Sequence, residues 1–185
     1  KLEGLDNLKE LWTLSLTENY IQKIENLSHL PRLNTLSIDK NHVGSNGLDD
    51  IIHLKDTTIN TLDLKDNKID DPDCLEEVFM KMKELRVLYL KGNPVVKKIP
   101  NYRKTFIAKM PNLRYLDDRP VFPEDSRYAN AFMRGGIAEE RLERQKVRQE
   151  KEDEHKRNMD AFRTMVDNAK REGRERRGMQ AEDRY

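Results

Sequence analysis

Aliphatic residues fall on a fixed lattice along the first half of the chain. "LWTLSLTENYI" from Leu11, "LNTLSIDKNHV" from Leu33, "INTLDLKDNKI" from Ile59 and "LRVLYLKGNPV" from Leu85 share one template, L-x-x-L-x-L-x-x-N-x-L, with aliphatic residues at the L positions. Their starts are 22, 26 and 26 residues apart. Within each copy the L-x-L pair alternates as a short strand does, so Leu14 and Leu16 are expected to point inward while Thr13 and Ser15 point outward. No single copy can bury its apolar side, so successive strands are expected to stack in parallel around one continuous core. Asn19, Asn41, Asn67 and Asn93 occupy the same template position. Each is expected to hydrogen-bond backbone groups of the turn that would otherwise be buried unpaired. That role is structural, not catalytic.

Template and period resemble those of leucine-rich repeats. The fold class read from them is α/β: a leucine-rich-repeat solenoid with parallel strands on its concave face, a C-terminal cap and a long charged α-helical tail. Three regions follow, with the solenoid and cap at residues 1–118, a junction clasp at 119–136 and the tail at 137–185. The segments on the convex side differ in length. "IENLSHLPRL" is short, with Leu27 and Leu30 packing inward, whereas residues 70–84 place Leu75, Val78, Phe79 and Met82 at i, i+3, i+4 and i+7. That spacing predicts an amphipathic helix, with Asp71 or Asp73 as its cap. At the other end, Leu2, Leu5 and Leu8 precede Ile24, Leu27 and Leu30 by 22 residues. The chain is therefore expected to start within a repeat and to have continued further toward its N-terminus.

After Pro94 the template is interrupted. Tyr102, Phe106, Ile107 and Met110 make a helical stripe, and Leu113, Tyr115 and Leu116 a last short strand, as an end-cap requires. This segment resembles the cap of U2A′- and SDS22-like repeat proteins in its "NP" after the last strand, "YR" opening a helix, and "PNLRYLD". Pro120 and Pro123 deny the following stretch a helix and favour an extended path. Val121 and Phe122 are expected to dock as apolar pins, with Pro120 and Phe122 counted as structural residues. Glu124, Asp125 and Ser126 then open a helix that carries Tyr128, Ala129, Phe132 and Met133 up to a break at Gly135–Gly136.

The tail is a different material. Residues 134–185 hold 15 Lys or Arg and 13 Asp or Glu and no proline, which favours a long solvated helix supported by i, i+4 pairs. Between Val147 and Met159 no large apolar residue occurs, so that stretch has no face to bury. Met159, Phe162, Val166 and Ala169 then follow i, i+3, i+7 and i+10, with Met165 beside them. This seam spans one to two heptads, too short for an autonomous coiled coil but long enough to anchor in a partner's groove. Folding back onto the chain's own solenoid is the competing reading.

Composition narrows the function classes. The net charge of +1 gives no general attraction to nucleic acid or acidic lipid, and 37% charged residues mark much of the chain as solvated. Cys74, the single cysteine, excludes an intrachain disulfide and points to a reducing compartment; it reads as a small, semi-buried apolar residue. No run reaches the length of a membrane span. His29, His42, His53 and His155 are scattered without metal-ligand spacing. There is no phosphate loop or nucleophile motif, and Asp117 and Asp118 read as turn residues rather than an acid–base pair. The chain is thus read as a non-enzyme without cofactor, metal or small-molecule substrate. Binding falls to the concave face, whose outward rows run Thr13, Thr35, Thr61, Val87, Tyr115 and Ser15, Ser37, Asp63, Tyr89, Asp117. Val87, Tyr89 and Tyr115 are the expected partner anchors, because aromatic side chains dominate interface energies. Trp12 at the opposite end, and Met159, Phe162 and Val166 in the tail, complete the set.

The string "YLDDRPVFPEDSRYANAFMRGGIAEERLER" resembles the dynein axonemal assembly factor 1 family of leucine-rich-repeat proteins. There a cap leads through a Y-L-D-D-R-P-V-F-P-x-D-R-type junction into an alanine- and aromatic-bearing helix, a Gly-Gly and a charged helix. Here Ser126 interrupts the acid–arginine pair and leaves Arg127 one position later. The resemblance runs through about Arg144 and implies a scaffold for preparing ciliary dynein arms. The implied partners are axonemal dynein chains and chaperone or assembly-factor proteins, and the implied place is the cytoplasm, the cilium or both. A resident axonemal component bound to dynein or doublet-microtubule proteins is the alternative reading. A spliceosomal or phosphatase-regulating repeat protein is a third.

Overall fold

Four three-residue strands and one two-residue strand stand side by side in chain order: β1 (Thr13–Ser15), β2 (Thr35–Ser37), β3 (Thr61–Asp63), β4 (Val87–Tyr89) and β5 (Tyr115–Leu116), all parallel. The computed structural model describes residues 2–182, with side chains to residue 174. Register is uniform, Leu14 opposite Leu36, then Leu62, Leu88 and Leu116. Because side chains alternate along a strand, this register sends one leucine per repeat inward. Leu36, Leu62 and Leu88 are fully buried, each burial being worth about 1.5–3 kcal/mol. The core runs on through Ile24, Leu54, Phe79 and Phe106 on the convex side.

The asparagines join one repeat to the one before it. Asn67 Nδ2 donates to the Leu64 and Lys65 carbonyls of its own turn, both at 3.1 Å, and to Ile38 of the preceding repeat at 2.9 Å. Its Oδ1 accepts from the preceding repeat's Val43 N–H at 3.0 Å. Asn41 does the same toward Leu16 and Ile21, and Asn93 toward Leu64 and Ile69. Asn19, in the first copy, is exposed and bonds only the carbonyls of Leu16 and Thr17. The residue ahead of each asparagine takes positive φ, +57° at Glu18, +53° at Lys40 and Asp66, and +85° at Gly92. Only the fourth must be glycine. A Cβ on Gly92 would lie 2.0 Å from Asp66 Oδ1.

The convex segments are tighter than their spacing predicts. Leu75, Val78, Phe79 and Met82 are all buried, but residues 70–84 do not form one helix. A single α turn, α1 (Cys74–Glu77), gives way at Val78 (φ −124°, ψ −69°) to a 3₁₀ turn over Phe79–Lys81. The chain must return to the next strand within one repeat, so it buries the apolar stripe in two short turns. Asp71 accepts the Asp73 N–H at 2.9 Å, while Asp73 makes no side-chain cap bond. His53 supplies a contact the spacing does not reveal, its Nε2 accepting from the Leu27 and Ser28 N–H groups at 2.9 and 3.2 Å.

Beyond β4 come α2 (Val95–Lys98) and α3 (Tyr102–Lys109), which buries Phe106 and Ile107. A sixth strand, β6 (Arg119–Pro120), pairs antiparallel with β5 and ends the sheet. Proline suits an edge strand because it has no N–H to offer a further neighbour. Arg103 ties the hairpin down, donating to the Leu116 and Pro120 carbonyls at 3.1 and 2.7 Å. Val121 is buried, but Phe122 is not the apolar pin expected: it is 58% exposed. Its backbone is what matters. The Phe122 N–H is accepted by Asp125 Oδ2 at 3.1 Å, three residues into α4 (Pro123–Glu182), which is half of a capping box. Helical geometry in α4 is interrupted at Gly135 and Gly136, the latter at φ 65°, ψ −151°. Ala129 and Ala131 face inward, and Lys104 meets both the Phe132 ring (4.1 Å) and the nearly buried Glu140 (2.5 Å).

The chain divides into two compact units, Lys1–Glu140 and Arg141–Tyr185. In the second, Val147 is buried, whereas Met159, Phe162 and Met165 are exposed and Val166 partly so. Its ion pairs include Glu143–Lys146 and Asp160–Arg163, each at 3.9 Å and i, i+3.

Asn67→Ala removes a donor and an acceptor that bridge two repeats and leaves their backbone partners buried, so it is expected to cost about 3 kcal/mol. Asn19→Ala should cost under about 1 kcal/mol, since Asn19 is exposed and the Leu16 carbonyl keeps its bond from Asn41. Urea unfolding of the two variants measures the difference.

Candidate protein-binding face

The parallel register carries the outward positions into straight rows across the sheet, and chemistry changes along them. Thr13, Thr35 and Thr61 lead to Val87 and Tyr115, and Ser15, Ser37 and Asp63 lead to Tyr89. Tyr89 and Tyr115, on adjacent strands, bring their ring centroids to 5.7 Å at an interplanar angle of 50°. That tilted packing suits the ring quadrupoles. The antiparallel pairing puts Pro120 opposite Tyr115, so the same face gains a further apolar surface. Tyr89, Tyr115 and Val87 are all half-buried, firmly seated yet open on one side.

Charges frame this aromatic floor. The Lys65 ammonium lies 5.1 Å from the Tyr89 ring centroid and 3.1 Å from Asp63 Oδ2. The hydrogen bond to Asp63 holds the lysine above its ordinary range, while burial, then the neighbouring Tyr115 and Asp63, push the Tyr89 phenol up. Lys91 pairs with Asp118 at 2.6 Å, which lowers the carboxyl and raises the ammonium. Asp117 Oδ1 accepts the Leu90 and Lys91 N–H groups at 2.7 and 2.9 Å, fastening the cap to the fourth repeat. The two acids therefore serve a turn and an ion pair.

The expected anchor residues do not all gather in one place. Val87, Tyr89 and Tyr115 do. Trp12 is 60% exposed at the other end of the row of strands, its carbonyl accepting from Asn34 and Thr35 beside a cleft lined by Glu10, Arg32 and Asn34. Met159, Phe162 and Val166 belong to the second unit. Lys65 and Pro120 were not read as part of this face from the pattern of leucines. The sign for Lys65 was its place two residues after Asp63; for Pro120 there was none, because its neighbour is set by a hairpin.

Among the described residues, no group of His, Cys, Asp and Glu is arranged to hold a metal, and no helix is long and apolar enough to cross a membrane. Cys74 is fully buried, and burial, helped by Asp71, pushes its thiol up to about 12. That environment suits packing rather than redox chemistry. A disulfide reagent at pH 8 is accordingly expected to leave Cys74 unmodified in the folded chain and to titrate one thiol after unfolding, a difference read directly by absorbance.

Similarity to known proteins follows the same geometry. A family model described as "Leucine-rich repeat" matches residues 4–147. The leucine-rich repeat-containing protein ODA7 of Chlamydomonas reinhardtii is 40% identical over 133 residues, covering 71% of this chain and 31% of that protein. Dynein axonemal assembly factor 1 of Homo sapiens is 50% identical over 97 residues, 52% of this chain and 13% of the human protein. The chain thus spans a third or less of these relatives. Among solved structures, a chain of the Drosophila melanogaster SNF/U2A′ complex superposes with a TM-score of 0.62 at 30% identity, covering 78% of this chain and 81% of that one.

Proposed function

Since the chain belongs to the leucine-rich repeat family, we propose that it is a non-enzymatic scaffold that holds a protein partner on its concave face during assembly of ciliary axonemal dynein arms. The observation that carries this reading is the aromatic floor of Tyr89, Tyr115 and Val87 on an open sheet, in a chain 40% identical to ODA7 over 133 residues. Half-buried aromatics already held by their neighbours lose little conformational freedom when a partner covers them, so the contact area they supply is inexpensive in entropy. What supports a docking role is the packing of Tyr89 against Tyr115 and Lys65, and the use of Asp117 in backbone hydrogen bonds.

The implied partners are axonemal dynein chains or the chaperone and assembly-factor proteins that handle them, and the implied place of action is the cytoplasm. The exposed seam of Met159, Phe162 and Met165 on α4 favours a second reading, in which the chain is a resident docking component of the axoneme and the helix grips a neighbour. Fractionation of ciliated cells separates the two. An assembly factor is recovered in detergent-soluble cytoplasm, while a resident stays with demembranated axonemes through a salt wash.

The double variant Tyr89→Ala with Tyr115→Ala tests the concave face itself. It is expected to weaken capture of the main partner in a pull-down by at least about tenfold, as loss of two aromatic anchors does. Stability should fall by only about 1–3 kcal/mol, since both rings are half-buried. Capture at the wild-type level would remove the proposal.

A further inference from the structure

A second surface lies where the segments leading into β4 and β5 meet, between the fourth repeat and the cap. There Met80, Met82, Leu85, Met110 and Pro111 line a groove of about 160 Å³. Met80 is 44% exposed at its mouth, although its neighbours Phe79 and Met82 are buried. Methionine side chains are unbranched and polarizable, so a groove they line can fit an incoming side chain without a matched shape. The rim is basic. Lys109 is taken by Glu76, and Arg86 lies 3.7 Å from Glu84. Among the described residues, Lys83, which lines the groove, has no acidic side chain in reach. Arg86 Nη1 donates to the Lys83 carbonyl at 2.9 Å, Asn112 Nδ2 approaches the same oxygen at 3.4 Å, and Arg114 N–H bonds the Arg86 carbonyl at 2.7 Å. Lys83 and Asn112 thus join the rim of the groove to the start of β4.

We propose that this groove docks an acidic peptide segment of a partner protein, which plants one leucine or methionine side chain among Met80, Met82 and Met110 while a carboxylate meets Lys83. Charge complementarity selects an acidic occupant, because a basic or neutral segment would leave Lys83 unpaired beside the already paired Lys109. The volume admits one aliphatic side chain rather than a helix face. The site lies off the concave sheet and does not depend on what that sheet binds.

Methionine-methyl NMR of the whole chain tests it, with two synthetic peptides: one leucine flanked on each side by two glutamates, and the same peptide with lysines for glutamates. The acidic peptide is expected to shift the methyls of Met80, Met82 and Met110 and to leave those of Met159 and Met165 in place. Raising the salt concentration should weaken it, Lys83→Glu should reduce its affinity about tenfold or more, and Tyr89→Ala with Tyr115→Ala should not affect it. Equal shifts with the lysine peptide, no shift at millimolar peptide, or unchanged binding to Lys83→Glu would each overturn the proposal. So would concentration-dependent shifts of the same methyls without peptide, accompanied by a doubling of mass in sedimentation, since a second copy of the chain would then fill the groove. Lys83 is exposed, and an unaltered melting temperature shows that its variant remains folded.

Discussion

A stack of three-residue strands makes too few hydrogen bonds of its own to define where each turn goes, and the buried asparagines supply what is missing. Asn41, Asn67 and Asn93 each fill donor and acceptor capacity across a boundary between repeats. A buried backbone group left without a partner costs about 1–3 kcal/mol, so each of these side chains stands between a repeat and several such losses. The residue ahead of each of these asparagines takes positive φ, even where it is Lys40 or Asp66 rather than glycine. Register follows from that fixed turn. Everything on the concave face inherits it, because Tyr89 and Tyr115 meet only if β4 and β5 align Val87 with Tyr115.

The cap turns this repetitive object into one with two unlike ends. Asp117 takes over the bridging role from asparagine, fastening the last turn through the Leu90 and Lys91 N–H groups. A reversed strand with Pro120 then ends hydrogen bonding outward, and Arg103 holds that hairpin from behind. The same operation closes the sheet edge and adds Pro120 to the aromatic floor. Terminating the sheet and extending its aromatic face are one piece of chemistry. The polar threonines and serines of the first strands, by contrast, offer a partner little to grip.

Much of this was legible along the chain because the repeat is written in local terms. The inward leucines, the asparagine turns and the helical stripe of Phe106, Ile107 and Met110 all depend on spacing, and all lie where spacing places them. Two expectations went astray where local pattern met a crowded return path. Residues 70–84 have the period of a helix, but a chain that must reach the next strand within one repeat buries Leu75, Val78, Phe79 and Met82 in two short turns. Phe122 has the character of a core residue, yet the capping contact between its N–H and Asp125 turns its side chain to solvent while Val121 takes the inner place.

The sequence by itself determined the five parallel strands, the asparagine turns and the presence of a cap and a charged helix, because each is set by residues a few positions apart. The antiparallel sixth strand was not among them. Only the tertiary structure decided which cations lack a partner, where His53 accepts its two N–H groups, how Lys104, Phe132 and Glu140 meet, and that three methionines and a proline enclose a groove. Those contacts join residues from different repeats and turns. Periodicity fixes the distance along a strand, but the neighbours across a turn depend on how tightly the whole stack closes.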